Sequence, residues 1–89
     1  MALGELDSAE FFARQACRHP NAPAWPHATL TSILGLLGKD REAAAAFEAV
    51  ASRRKDYHQA SAREDLFFCA DEGFIARYIQ GLAQAGVPA

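Results

Sequence analysis

Apolar residues recur along most of this chain at the three- and four-residue spacing of a helix, and the interruptions are short. Leu30, Ile33, Leu34 and Leu37 fall at i, i+3, i+4 and i+7, which predicts a helix over about 24–37 with one buried stripe. Ala43, Phe47, Val50 and Arg54 mark a face of the next helix, with Asp40 placed as its cap and Gly38 as the stop of the helix before. Ala9, Ala13, Ala16 and Cys17 supply an apolar face over about 7–18, where Asp7 and Glu10 have the spacing of an acidic capping box. Phe11 and Phe12 are adjacent and cannot both lie in that face. A short helix is expected over about 58–66, ending in the apolar block Leu66, Phe67 and Phe68. A last helix is expected from Glu72 to Ala85, capped by Asp71 and carrying Phe74, Ile75, Tyr78, Ile79 and Leu82 on its apolar face. Gly86, Val87 and Pro88 read as its stop. The expected fold is all-α, about five helices paired as antiparallel hairpins.

The turn and helix at 37–50, LGKDREAAAAFEAV, read as the organising stretch, because its pattern occurs twice. Leu3, Gly4, Ala9 and Ala16 stand 34 residues ahead of Leu37, Gly38, Ala43 and Val50. A period of that length marks stacked helix pairs. The Gly, Ala, Phe and Ala/Val spacing resembles the tetratricopeptide repeat, and Pro20 sits near that repeat's closing proline. The first copy departs from it at Ala13, where the second has Phe47. The resemblance implies a right-handed superhelical segment spanning residues 1–89, with the second helix of one repeat at 7–18, a full repeat at 24–54 and a degenerate capping repeat at 58–85. Only Met1–Leu6 precede the first of these, so the leading helix is missing. The chain is therefore expected to be a piece of a longer protein, or to cover its open end by association.

The C-terminal stretch is similar to the tails of bacterial multidomain proteins that end in such repeats, behind a nucleotide cyclase or winged-helix domain. The matching residues are Arg54, Asp56 and Tyr57, then Leu82, Ala85, Gly86, Val87 and Pro88. Lys55 replaces the usual proline and Val87 the usual leucine. Neither the cyclase nor the winged-helix domain is in this sequence, so neither activity carries over.

Composition narrows the function. At 51% hydrophobic the chain can fold, and a net charge of −2 offers no general attraction to nucleic acid or anionic membrane. No apolar run approaches the ~20 residues of a membrane span. Two cysteines are too few for a disulfide framework, so reduced thiols and a cytoplasmic location are expected. Cys17 and His19, two residues apart, do not share a helix face, and no further ligand has zinc-site spacing. A packed cysteine and a helix-end histidine explain them, and capping by Asp71 explains the Cys69, Asp71, Glu72 group. Arg53, Arg54 and Lys55 suit the negative end of a helix dipole better than a phosphate. There is no phosphate-binding glycine loop and no nucleophile elbow.

These absences leave no catalytic, cofactor or metal residues to name, and a non-catalytic protein-interaction module is expected. The repeat resemblance implies a concave groove at Trp25, Ala28, Thr29, Ser32 and Leu36. That groove has no Lys, Arg or Asn to grip a terminal carboxylate, so an amphipathic helix or an extended apolar peptide is the expected guest. Packing of Trp25 on the preceding helix is the competing explanation. The alternative function is homo-oligomerisation, as in a homodimer, through Phe11 and Phe12, and a third, less favoured one is a small enzyme or metal-binding protein using Cys17, His19 or Cys69.

Overall fold

The computed structural model describes residues 3–19, 21–66 and 71–89. Five helices follow in order: α1 (Leu3–Cys17), α2 (Ala24–Leu37), α3 (Asp40–Arg53), α4 (Gln59–Asp65) and α5 (Glu72–Gln84). Among the described residues there is no strand, as expected of an all-α chain. Pro20, Phe67, Phe68 and Cys69, each given a part above, lie outside the described residues.

Helix α2 is the hub, in place of the stretch at 37–50. It packs against α1, α3 and α5. The expected stripe is present, with Leu30, Ile33 and Leu34 buried and Leu37 half-buried. The burial continues around the helix through Ala24, Pro26, His27, Ala28, Thr31, Ser32 and Gly35. A helix buried on several faces belongs in the middle of a fold. Small and hydroxyl side chains make this affordable. Thr31 Oγ1 donates to its own helix at His27 O (2.7 Å), and Ser32 Oγ donates to Tyr78 O on α5 (2.7 Å), so neither buried hydroxyl is left unpaired.

Two apolar clusters flank α2. Leu6 and Ala13 of α1 meet Leu30, Ile33 and Leu34 of α2 and Ala43 and Ala46 of α3. Ala43 is fully buried there, so α3 lies against the helix before it as its small side chain predicts. On the other side, Ala28 and Val50 meet Tyr57, Ala62, Tyr78, Leu82 and Val87. Positions 43 and 50 are two turns apart on one stripe of α3, so that stripe serves both clusters.

The α2–α5 crossing is unusually close. A methyl group built on Gly35 would overlap the Gly81 carbonyl oxygen, and one on Gly81 would overlap that of Ser32. Glycine inside a helix costs ~1 kcal/mol relative to alanine, so two at one crossing mark a contact that needs them.

Several helix ends differ from expectation. Helix α1 begins at Leu3, which places Asp7, Glu10 and Gly4 in its interior. Glu10 therefore caps nothing; its carboxylate accepts from Arg14 and from Lys39, each at 2.8 Å. Those bonds hold the carboxyl below its usual range, Lys39 contributing most and Arg14 next. Gly4 and Gly38 consequently play different parts, since Gly38 ends α2 at φ 75°. Lys39, not Asp40, is the N-cap of α3; Asp40 is its first residue and favours the helix through its charge. At α5 the expectations hold. Asp71 accepts from the Phe74 N–H (3.1 Å), Gly86 takes φ 95°, and the Val87 N–H reaches Leu82 O (3.0 Å). Phe74 is the exception on that helix, exposed at the edge of the face it was expected to bury.

The chain's end is tied back to the short helix. Pro88 O accepts from the Gln59 N–H (2.8 Å), and Val87 O accepts from Gln59 Nε2 (3.0 Å). These bonds help fix α4 beside α5, which leaves a gap between α4 and α2.

Candidate functional site

Trp25 follows the N-cap Pro23 and is exposed in the first turn of α2, between the buried Ala24 and Pro26. Pro26 behind it fits a first turn because its missing N–H removes no helix bond. Trp25 is 61% exposed and faces Ala9, Ala13 and Ala16 of α1 across the smaller of two concavities. It stands between them and lines both.

The larger concavity, about 530 Å³, opens between α2, α4 and α5. Ala28 of α2 and Ala62 of α4, both buried, line it with Tyr57 and Tyr78. Trp25, Thr29 and Leu66 add walls. The Tyr78 hydroxyl is paired with Thr29 Oγ1 at 2.9 Å. Burial pushes the Tyr78 phenol up to about 12, and the Tyr57 phenol upward too, so both stay neutral near neutral pH. At the rim Arg54 donates to Asp65 (2.6 Å) and lies over the Tyr57 ring, 5.3 Å from its centroid. That cation is thus committed to the wall of the groove.

The smaller concavity, about 350 Å³, lies between α1 and α2. Ala9, Ala13 and Ala16 of α1 form one side, Pro26, Thr29 and Ile33 of α2 the other, with Phe12 and Trp25 at the lips. No charged side chain lines it. Phe11 and Phe12 are 58% and 66% exposed and meet edge to face at 5.5 Å. Both rings look away from the helix's buried face, in keeping with the expectation that they cannot both lie in it.

The five expected groove positions thus separate. Trp25, Ala28 and Thr29 line the larger concavity. Ser32 is covered by α5, where it bonds Tyr78 O. Leu36 turns toward the cluster shared with α1 and α3. Sequence reasoning missed the opposite wall: Tyr57, Ala62, Leu66 and Tyr78. The signal that could have found it was the glycine pair. Gly35 and Gly81 bring α5 onto α2, and Tyr78 precedes Gly81 by less than a turn.

The residues weighed above for chemistry are dispersed. Burial raises the Cys17 thiol, with Arg53 and Arg14 only partly opposing it, so a thiolate nucleophile is disfavoured there. Arg53 spends its guanidinium on carbonyls, donating to Ala22 O (3.0 Å) and Ala49 O (2.9 Å). Among the described residues no three His, Cys, Asp or Glu side chains gather as a metal site. No helix among them is long and apolar enough to cross a membrane.

His27 has a different consequence. It is buried, and its Nε2 has no hydrogen-bond partner among the described residues. Desolvation, aided by the nearby Arg53 charge, lowers its pKa below the ordinary value, so folding favours the neutral ring. The unfolded chain binds that proton near pH ~6.5. Stability from this residue is therefore full above pH ~6.5 and declines as pH falls from there toward the depressed native value. In urea titrations at pH ~7.5 and ~5.5, His27→Gln is expected to shrink the difference in midpoint shown by the parent chain. An unchanged difference would assign the pH dependence to other groups.

No protein-family model, no curated protein and no solved structure matches this chain.

Proposed function

We propose that this chain is a non-catalytic contact module, and that the concavity between α2, α4 and α5 receives an amphipathic helix or an extended apolar segment of a protein partner. The observation that carries the reading is the exposed Trp25 at the lip of an apolar groove with two buried tyrosines in its walls. Exposed tryptophan costs solvation free energy unless something covers it. Tryptophan and tyrosine beside a well-formed pocket are also the residues that dominate binding energy at interfaces. The tetratricopeptide-like spacing supports the same reading, as terminal repeats of a larger cytoplasmic regulator. The net charge of −2 points the partner class toward protein rather than nucleic acid.

Selection from a displayed library of amphipathic helical peptides tests this, because Trp25 is the only tryptophan and reports on its own groove by fluorescence. Selected peptides are expected to shift its emission. Trp25→Ala is expected to weaken their binding about 30-fold, the effect of losing a central anchor of ~2 kcal/mol, when binding is followed by calorimetry. Failure to select any peptide, or selection of peptides that bind Trp25→Ala equally well, would refute the proposal.

A further inference from the structure

We infer that the protein segment received by the groove between α2, α4 and α5 carries an uncharged amide side chain, Asn or Gln, among its apolar residues, with a lysine or arginine beside it. The inference rests on the groove reading above and narrows the partner by its chemistry. Hydroxyl groups on the groove wall carry the first part. Thr29 Oγ1 and the Tyr78 hydroxyl share a hydrogen bond at 2.9 Å, which uses one of their two protons and leaves the other to give. Tyr57 lines the same groove and is only 4% exposed, yet its hydroxyl has no hydrogen-bond partner among the described residues. Among those residues His27 Nε2 is the fully buried side-chain atom left unpaired, so the Tyr57 hydroxyl is not sealed in, and the groove is where Tyr57 meets solvent. The two phenols lie close enough for the charge on one to bear on the other.

These donors set what can cover them. A guest that strips water from a hydroxyl and offers only hydrocarbon leaves a donor stranded, which costs more than an ordinary hydrogen bond gains. The covering surface therefore needs an acceptor. Along most of a helix the backbone carbonyls are already spent on the helix itself, so on a helical guest the acceptor is a side chain. An amide oxygen has two lone pairs and can accept from the Tyr57 hydroxyl and the Thr29–Tyr78 pair together.

Charge excludes a carboxylate as that acceptor and supplies the second part. Arg54, Glu64 and Asp65 line the groove. Arg54 is held by Asp65 at 2.6 Å, whereas Glu64 is exposed and has no partner among the described residues. The groove is thus left with one uncompensated negative charge, which repels an acidic guest and favours a basic residue.

The peptides selected on the parent chain from the amphipathic helical library test both parts. They are expected to share Asn or Gln at a central position of the apolar face, with Lys or Arg within a turn of it. Tyr57→Phe removes the hydroxyl and keeps the ring. Because that hydroxyl is unpaired in the free chain, Tm is expected to stay unchanged, while peptide binding weakens ~5–10-fold in calorimetry. Replacing the peptide's amide residue by Leu is expected to abolish the difference between the parent chain and Tyr57→Phe, closing a double-mutant cycle. Glu64→Lys, at an exposed position, is expected to weaken binding ~2–5-fold and to flatten its dependence on salt. Selected peptides that lack the amide, or that bind Tyr57→Phe as tightly as the parent chain, overturn the first part; a fall in Tm for Tyr57→Phe does the same by giving the hydroxyl a structural role. Equal binding by Glu64→Lys overturns the second part. In each of these cases a loss of affinity with Trp25→Ala leaves the groove itself standing, whereas selection of no peptide at all refutes the groove and this inference together.

Discussion

Gly81→Ala is expected to destabilise the chain, although alanine is the better helix former. Two effects oppose one another. The substitution gains ~1 kcal/mol of helix propensity. Against this, the new methyl overlaps the Ser32 carbonyl, a backbone atom that cannot swing aside, and crowds Ser32 Oγ. Forcing a methyl into a closed contact costs about 1–3 kcal/mol and sometimes more. Pushing the helices apart also strains the Ser32 Oγ–Tyr78 O bond, worth ~1 kcal/mol. The steric side wins, with a net loss of ~2 kcal/mol. A chain of this size loses ~4–8 °C of Tm per kcal/mol, so calorimetry should record a fall of ~10 °C. A rise in Tm would mean that α5 does not approach α2 as described.

The largest single loss is expected for Leu34→Ala. Leu34 is fully buried in α2 and belongs to the cluster that joins α1, α2 and α3. Truncating a buried leucine costs ~2–5 kcal/mol, the upper end applying where neighbours cannot close the cavity. Here the neighbours are fixed on three helices, which favours the upper half of that range. A chain of this length has ~4–13 kcal/mol in total, so the variant loses about a quarter of it at the upper end of that range and nearly all of it at the lower. The urea midpoint should fall steeply with little change in slope. Leu36→Ala, at a half-buried position, should cost much less. Equal effects at both positions would contradict the central placement of α2.

Much of the fold is legible in the residues, and the failures have identifiable causes. The range of α2 and the stops at Gly38 and Gly86 follow from local rules, because a left-handed glycine and the contact beyond it are sequence-local devices. The starts of α1 and α3 do not follow so directly. An aspartate near a helix start looks the same whether it caps from outside or sits in the first turn. What local rules omit is the destination of α5. Its stripe of Ile75, Tyr78 and Leu82 is visible, but the face that receives it is not, since Ala28 and Ser32 carry no apolar signature. That omission also hides half of the site. Trp25 and Thr29 can be named from a repeat pattern, whereas Tyr57, Ala62 and Tyr78 reach the groove only through tertiary packing. The glycines in the last turns of α2 and α5, Gly35 and Gly81, are the available clue, because neither is at the stop itself and a glycine inside a helix marks a neighbour at close range.

Trp25 is the exposed residue in the first turn of the otherwise buried α2, and the proposed groove opens beside it. The most direct measurement is nuclear magnetic resonance mapping of a selected peptide on the isotopically labelled chain. Shifts concentrated at Trp25, Thr29, Tyr57, Ala62 and Leu66 are the predicted result. Shifts confined to the outer side of α3, around Arg41, Ala45 and Glu48, would contradict it.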